Sequence, residues 1–320
     1  MAGAAAILAP VFLLALVLLP VRPLFAQQEK SEGDSGDAIF STDTRLVPLN
    51  VTVSDKAGKL ITNLPQSAFQ VFENGVAQQI KLFKREDVPV SLGLIIDNSG
   101  SMREKRAGVE SAALALVKDS NKQDEVFIIN FNDEVYIDAD FTSDIAKMEA
   151  GLTKIDSRGG TAMRDAIRLS VEHLKEGAKR DKKVILVVTD GNDNASVVSL
   201  EALTRLAQQD DVLIYAIGLL SDEEKREAKK ARRALELLAE STGGQVFYPK
   251  DVSEVERIAH QVAHDIRNQY TIAYTPTNTA LDGTYRQIKV TVKAPGNPIA
   301  RTRSGYYANK DQQKGARKPL

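Results

Sequence analysis

The chain has 320 residues, with 42 Lys and Arg against 43 Asp and Glu and a formal net charge of -1, so its charge balance implies no polyanionic partner and argues against a dedicated nucleic-acid binder. A hydrophobic fraction of 43% with 6% aromatics fits a packed globular chain, of about two domains at roughly 100 to 200 residues each. There is no cysteine, which excludes disulfides, thiolate nucleophiles, Cys-ligated zinc and iron–sulfur clusters together; Trp is also absent.

Residues 1–26 carry the apolar run Ala4 to Leu19, followed by Pro20, Arg22, Pro23 and Ala26, and read as a secretory signal cleaved after Ala26. The run could nearly span a bilayer, which takes about 20 residues, but Pro10 and Pro20 interrupt it. No Lys or Arg precedes it and Leu24 stands three positions before the cut, so an uncleaved membrane anchor is the alternative. The expected location is secreted, periplasmic or cell-envelope, and the lack of cysteine fits a bacterial envelope protein.

Residues 27–37 are Gln, Glu, Lys, Ser, Gly and Asp with almost nothing apolar, a disordered linker. In the β segment 38–86, Val47, Leu49, Val51 and Val53 alternate with Pro48, Asn50, Thr52 and Ser54, and the turn Asp55-Lys56-Ala57-Gly58 follows. Asn74-Gly75 then joins a strand through Phe69 and Val71 to a strand from Val76 to Phe83.

From 87 to 268 strands alternate with helices. Strands are expected at Val90–Ile96, Glu125–Phe131 with a short partner at Val135–Ile137, Lys183–Val188, Val212–Ile217 and Val246–Phe247. Helices are expected at Lys105–Asp119, Ala162–Lys175, Ser199–Gln208, Asp222–Glu240 and Ser253–Asn268, with a break at Gly243-Gly244. Apolar strands separated by helices predict a doubly wound, mostly parallel α/β sheet. In residues 269–308, Tyr270, Ile272 and Tyr274 alternate, as do Ile288, Val290 and Val292. Neither β segment has enough apolar surface to stand alone, so the two should form one small sandwich with the α/β domain inserted between them. Residues 309–320 are a polar, basic, disordered tail.

Three loops at strand ends carry the chemistry. Asp97, Ser99 and Ser101 are spaced by two directly after a buried strand, with Gly100 permitting a tight turn that aims three oxygens at one point. Such an oxygen-lined cup suits a hard divalent cation. Alone, this motif is more often a helix cap than a metal site. Gly159-Gly160-Thr161 opens a later helix, and Thr189-Asp190-Gly191 places another acid at a strand exit.

Asp-x-Ser-x-Ser, a later Gly-Gly-Thr and Thr-Asp-Gly together resemble the metal-ion-dependent adhesion site of von Willebrand factor type A (VWA) domains. The resemblance covers about Val88 to Asn268, and the flanking β segments, including Leu64 to Phe72 and Asn74-Gly75, resemble the bacterial VWFA-related proteins of the Acidobacteria type. It implies a Rossmann-like fold and Mg²⁺, or Mn²⁺ or Ca²⁺, held by the Ser99 and Ser101 hydroxyls. Asp97 and Asp190 would contribute carboxylates directly or through water, and Thr161 either way. It also implies a protein partner whose Asp or Glu completes the shell. Two carboxylates neutralise a divalent ion while three hydroxyls add no charge, which leaves the ion Lewis-acidic at its open position.

Other features have plainer readings. His260 and His264 have zinc-protease spacing, but Gln261 replaces the general base, so they and His173 are helix-surface or packing residues. Asp193 reads as a solvated loop acid, and the charged helix 222–240 as a solvated face. There is no nucleotide-binding Gly-x-x-x-x-Gly-Lys loop and no Gly-x-Ser-x-Gly elbow. The expected function is therefore a non-enzymatic, metal-dependent protein-binding module. The alternatives are an envelope scaffold with a vestigial site and, further off, a metal-dependent hydrolase with Asp193 as base. Placement of Asp97 on an exit loop implies that Asp97→Ala opens no buried cavity.

Overall fold

The computed structural model describes residues 45–309 except 86, 119–120, 154–156, 192 and 221–224. The export segment 1–26, the linker 27–37, the tail beyond Asn309 and the expected first turn of the charged helix at 222–224 lie outside the described residues. Among the described residues no helix is long and apolar enough to cross a membrane.

The chain begins with β1 (Val47–Ser54), β2 (Phe69–Glu73), β3 (Val76–Gln78) and β4 (Ile80–Lys84). It continues through β5 (Val90–Asp97), α1 (Arg106–Lys118), β6 (Glu125–Phe131), β7 (Val135–Thr142), α2 (Ile145–Leu152), α3 (Met163–Gly177) and β8 (Lys182–Thr189). Then come α4 (Leu200–Gln209), β9 (Val212–Gly218), α5 (Lys225–Thr242), β10 (Val246–Phe247) and α6 (Val255–Arg267). Four strands close the chain: β11 (Tyr270–Tyr274), β12 (Tyr285–Val292), β13 (Ile299–Arg301) and β14 (Gly305–Tyr307).

The central sheet has the order β10-β9-β8-β5-β6-β7 and is parallel except for β7, which runs antiparallel to β6 at the edge. Every residue of β5, β6 and β9 is buried, because helices cover both faces and the few polar side chains along them bond mostly within the protein, as Ser91 does to Glu125 (2.6 Å). Leu92, Leu94 and Ile96 pack against α1, α2 and α6, while Ile95 faces α3, α4 and α5. Two elements depart from the sequence expectation. β7 extends to Thr142, well past Ile137, and α2 stands where no helix was foreseen. The signal for α2 is present but short: Asp144 caps it by accepting from the Ala146 N–H (3.0 Å), and Met148 and Leu152 are buried at helical spacing. At the Gly243-Gly244 break, Gly243 has φ +90° and a methyl on Gly244 would overlap the Ile214 carbonyl oxygen.

The flanking strands form two antiparallel four-stranded sheets, β13-β1-β11-β4 and β14-β12-β2-β3, whose facing side chains make one core that includes Leu49, Val51, Phe69, Tyr270, Ile272 and Val290. Strands from before and after the α/β domain alternate in the first sheet and meet at the β12–β2 pair in the second, so each half supplies the other's hydrogen-bond partners as well as its apolar cover. Buried Glu73 at the end of β2 accepts hydroxyl hydrogen bonds from Tyr274 (2.7 Å) and Tyr306 (2.9 Å), which ties strands of both sheets together. The expected single strand Val76–Phe83 is two strands that belong to different sheets, β3 pairing with β2 and β4 with β11. Gln78 pins the crossing by bonding the Thr277 hydroxyl (3.1 Å) and accepting from the Thr277 N–H (3.0 Å). Where the sandwich meets the α/β layer, Gln269 donates to Thr52 (3.0 Å) and Tyr215 (3.2 Å), and Arg301 pairs with Asp265 (2.8 Å).

Lys182 starts β8 at the edge of the sheet opposite the exit loops, its buried ammonium on the Ile266 carbonyl near the end of α6. Desolvation lowers its pKa to about 7 from 10.5. The folded pKa lies below the unfolded one, so between about pH 7 and 10 the unfolded chain holds a proton that the folded chain has released, and stability should rise with pH across that window. Lys182→Met should flatten the rise and increase stability at pH 7, as read from urea unfolding of both proteins at pH 7, 8 and 9.

Candidate metal centre

β5 and β8 are adjacent parallel strands, so their carboxyl ends emerge side by side and deliver Asp97 and the pair Thr189-Asp190 to one edge of the sheet. Asp97 is the last residue of β5 and only 1% exposed. Its Oδ1 accepts the Ser99 N–H (2.8 Å) and its Oδ2 accepts the Thr189 hydroxyl (2.6 Å). A one-turn 3₁₀ segment, Gly100–Met102, then reverses the chain and brings the Ser99 and Ser101 hydroxyl oxygens to 3.2 Å of each other. Ser101 donates to Asp190 Oδ1 (2.8 Å), and Lys105 Nζ lies 2.5 Å from Asp190 Oδ2.

The loop before α3 closes a third side. The Arg158 N–H donates to the Asn98 carbonyl (2.9 Å) and the Gly100 N–H to the Gly159 carbonyl (3.4 Å), which fastens this loop to the one after β5. Buried Thr161 is held by Asn194, whose side-chain oxygen accepts the Thr161 N–H (2.9 Å) and whose own N–H donates to the Thr161 carbonyl (3.1 Å). Its hydroxyl faces the residue after Asp190: a Cβ at Gly191 would lie 3.7 Å from Thr161 Oγ1. All five residues singled out from the sequence therefore lie around one cup. Desolvation pushes the Asp97 carboxyl up to about 6 from 3.8, opposed by the hydrogen bonds from Thr189 and Ser99 and reinforced by the charge of Asp190.

Residues 92–192 match the family profile of the von Willebrand factor type A domain. That segment belongs to a VWA domain. The chain is 24% identical over 185 residues to an uncharacterized protein of Synechocystis, an alignment covering 57% of this chain and 42% of that protein. The chain thus spans less than half the length of this curated relative. Among solved structures, it is similar to proximal thread matrix protein 1 from the mussel byssus with a zinc-occupied MIDAS motif, at 16% identity and a TM-score of 0.50, covering 61% of this chain and 49% of that one. It is also similar to a von Willebrand factor type A protein from Catenulispora acidiphila, at 12% identity and a TM-score of 0.48 over 80% of this chain and 78% of that one. At these identities the likeness is one of fold.

The donors at the cup of the VWA domain fit a hard divalent ion. Neighbouring oxygens in an octahedral shell of radius about 2.1 Å stand about 3 Å apart. The Ser99–Ser101 and Ser101–Asp190 separations of 3.2 and 2.8 Å bracket that value. Among the described residues no three His, Cys, Asp or Glu side chains gather as a metal cluster, so a metal shell here would have to draw on hydroxyls as well as on the two carboxylates.

Two readings from the sequence are corrected. Asp193 is not a solvated acid: its side chain is 5% exposed, pairs with Arg164 (3.1 Å), and accepts the Arg164 N–H (2.7 Å) and the Ser196 hydroxyl (2.7 Å), clamping the loop after β8 to the start of α3. Nor does Asp97 stand free on an exit loop. Its burial means that Asp97→Ala would leave the Thr189 hydroxyl and the Ser99 N–H without their acceptor, so Asn is the substitution that removes charge with least damage. Of the histidines, His173 stacks on Phe141 with centroids 4.7 Å apart and bonds Asp140 (2.9 Å), a packing role. Sequence reasoning passed over Asn194 and Lys105, which help build the site, and named Thr189 only as part of its motif without a role. Thr189 was within reach as the residue before the motif acid, whereas nothing in the spacing marks Lys105.

Thr189→Val, close to isosteric at a fully buried position, leaves Asp97 Oδ2 without its hydroxyl donor. It should cost about 1 to 3 kcal/mol in urea unfolding with EDTA present. A cost within error of zero would mean that this hydrogen bond does not hold the carboxylate.

Proposed function

We propose that this chain is an exported, non-enzymatic protein-binding module that holds a divalent cation, Mg²⁺ in the first instance, at Asp97, Ser99, Ser101, Thr161 and Asp190, and captures an Asp or Glu side chain of a protein partner there. VWA domains are typically adhesion or interaction modules, and a neighbour in fold has a zinc-occupied MIDAS motif. The observation that carries the reading is the convergence of two buried carboxylates and two serine hydroxyls at the exits of β5 and β8. A bound divalent ion would supply a Lewis-acidic position open toward solvent. The chain's own residues fix its surroundings: Thr189 and the Ser99 N–H orient Asp97, Asn194 fixes the backbone at Thr161, and Ser101 aligns Asp190. Engagement of Asp193 by Arg164 and Ser196 removes the base that a hydrolytic reading would need, which supports a binding role. Export rests on the apolar run Ala4 to Leu19 and its flanking residues.

The envelope-scaffold alternative has one observation in its favour, the Lys105 ammonium already paired with Asp190. Thermal melts separate the two readings. Mg²⁺ at about a hundredfold over its Kd should raise the midpoint by roughly 5 °C or more in the parent and leave Asp97→Asn and Ser101→Ala nearly unmoved. Pull-downs from envelope extract with Mg²⁺ and with EDTA should give partner bands in the first only. A scaffold with a vestigial site would show neither the shift nor the EDTA sensitivity.

A further inference from the structure

Lys105 lies between the 3₁₀ turn Gly100–Met102 and α1, its backbone N–H bonded to the Met102 carbonyl (3.0 Å). Its side chain is 29% exposed and reaches down to an Asp190 carboxylate that is 1% exposed, so the ammonium enters from solvent and covers the acid. Both Asp190 oxygens are engaged, Oδ1 by the Ser101 hydroxyl and Oδ2 by Lys105. A carboxylate withdrawn from water to this degree needs a positive partner close by, and the lysine supplies it. The same carboxylate, with the same serine, belongs to the set proposed to hold the divalent ion. An ammonium at hydrogen-bond distance from Asp190 and a dication on that acid would repel each other strongly across a few ångströms of poorly hydrated protein.

We propose that Lys105 is a tethered competitor for the divalent cation: its ammonium occupies Asp190 until the ion displaces it, and it thereby sets the metal concentration at which the site fills. This inference rests on the reading of the cup as a metal site. Lys105 is no ligand and need not touch a partner; it acts through Asp190, and its four-carbon stem lets the charge leave for solvent without unfolding the turn.

Isothermal titration of the full chain with Mg²⁺, at one pH and one ionic strength, tests it on the parent, Lys105→Met and Lys105→Arg. Removing the charge should tighten Mg²⁺ binding about ten- to a hundredfold, the scale of one charge-assisted hydrogen bond, while Arg, which keeps the charge, should stay within about threefold of the parent. Thermal melts in EDTA check that all three variants fold, and Lys105→Met should gain more from added Mg²⁺ than the parent does. Equal affinity in parent and Lys105→Met, or weaker binding by Lys105→Met, overturns the competition while leaving the metal site standing. Equal tightening by Met and Arg overturns it as well, since the charge would then not be the cause. Absence of binding by all three, up to millimolar Mg²⁺, overturns the metal reading itself and the competition with it.

Discussion

The buried carboxylate of Asp97 constrains everything near it. An acid removed from water at the end of a central strand needs donors supplied by the protein, and two neighbours provide them: the Thr189 hydroxyl from the adjacent strand and the Ser99 N–H from the turn that follows. The first bond joins the exits of β5 and β8, whose register the parallel backbone ladder sets. The second forces the chain to turn back at once, which is why Ser99 and Ser101 face the same point as Asp97. Thr161 depends on this frame in turn, because the loop carrying it is fastened to Asn98 and Gly100 and to Asn194 beyond β8.

Rigidity of the cup comes from polar contacts between loops, and each loop is anchored to an element of the sheet or its helices. Asp193 and Asp165 each accept hydrogen bonds across the junction between α3 and the loop after β8, Asp193 from the Arg164 N–H and Asp165 from the Val197 and Val198 N–H groups (2.9 and 3.1 Å). A helix start and a strand exit are thereby locked in register. Such preformed geometry suits a site whose donors are mostly uncharged hydroxyls, because a weak donor helps only when it is already in place.

The sequence was most legible where burial is two-sided. The continuous apolar runs of β5, β6, β8 and β9 can be satisfied only inside a covered parallel sheet, and the motif residues follow directly at their ends. Legibility failed where the pattern is silent about partners. Alternation from Val76 to Phe83 has a period of two whichever sheet it joins, so the change of sheet after Gln78 is written in the Gln78–Thr277 contacts, almost two hundred residues apart. The eight-residue α2 is too short for its periodicity to stand out. Asp193 sits among Gly, Asn and Ser and looks solvated by composition; its burial is decided by Arg164, a residue on the helix that folds over it. Lys105 is one cation in a run of charged residues, and only the reach of its side chain separates it from Arg103 and Arg106.

Charge arithmetic at the cup joins these observations. Asp97 and Asp190 carry two negative charges when both are ionised, and Lys105 returns one positive charge, so the cluster as it stands is one charge short of neutral. A desolvated site tolerates that imbalance poorly; burial is the main cause that raises the Asp97 carboxyl, and the charge of Asp190 adds a smaller push in the same direction. On the proposed reading, exchange of the ammonium for a dication neutralises both acids and frees a tethered positive charge at the rim. The mouth then presents a metal coordination position beside a lysine, a combination that favours an incoming carboxylate over a neutral or cationic side chain and derives partner chemistry from the same two acids that position the ion.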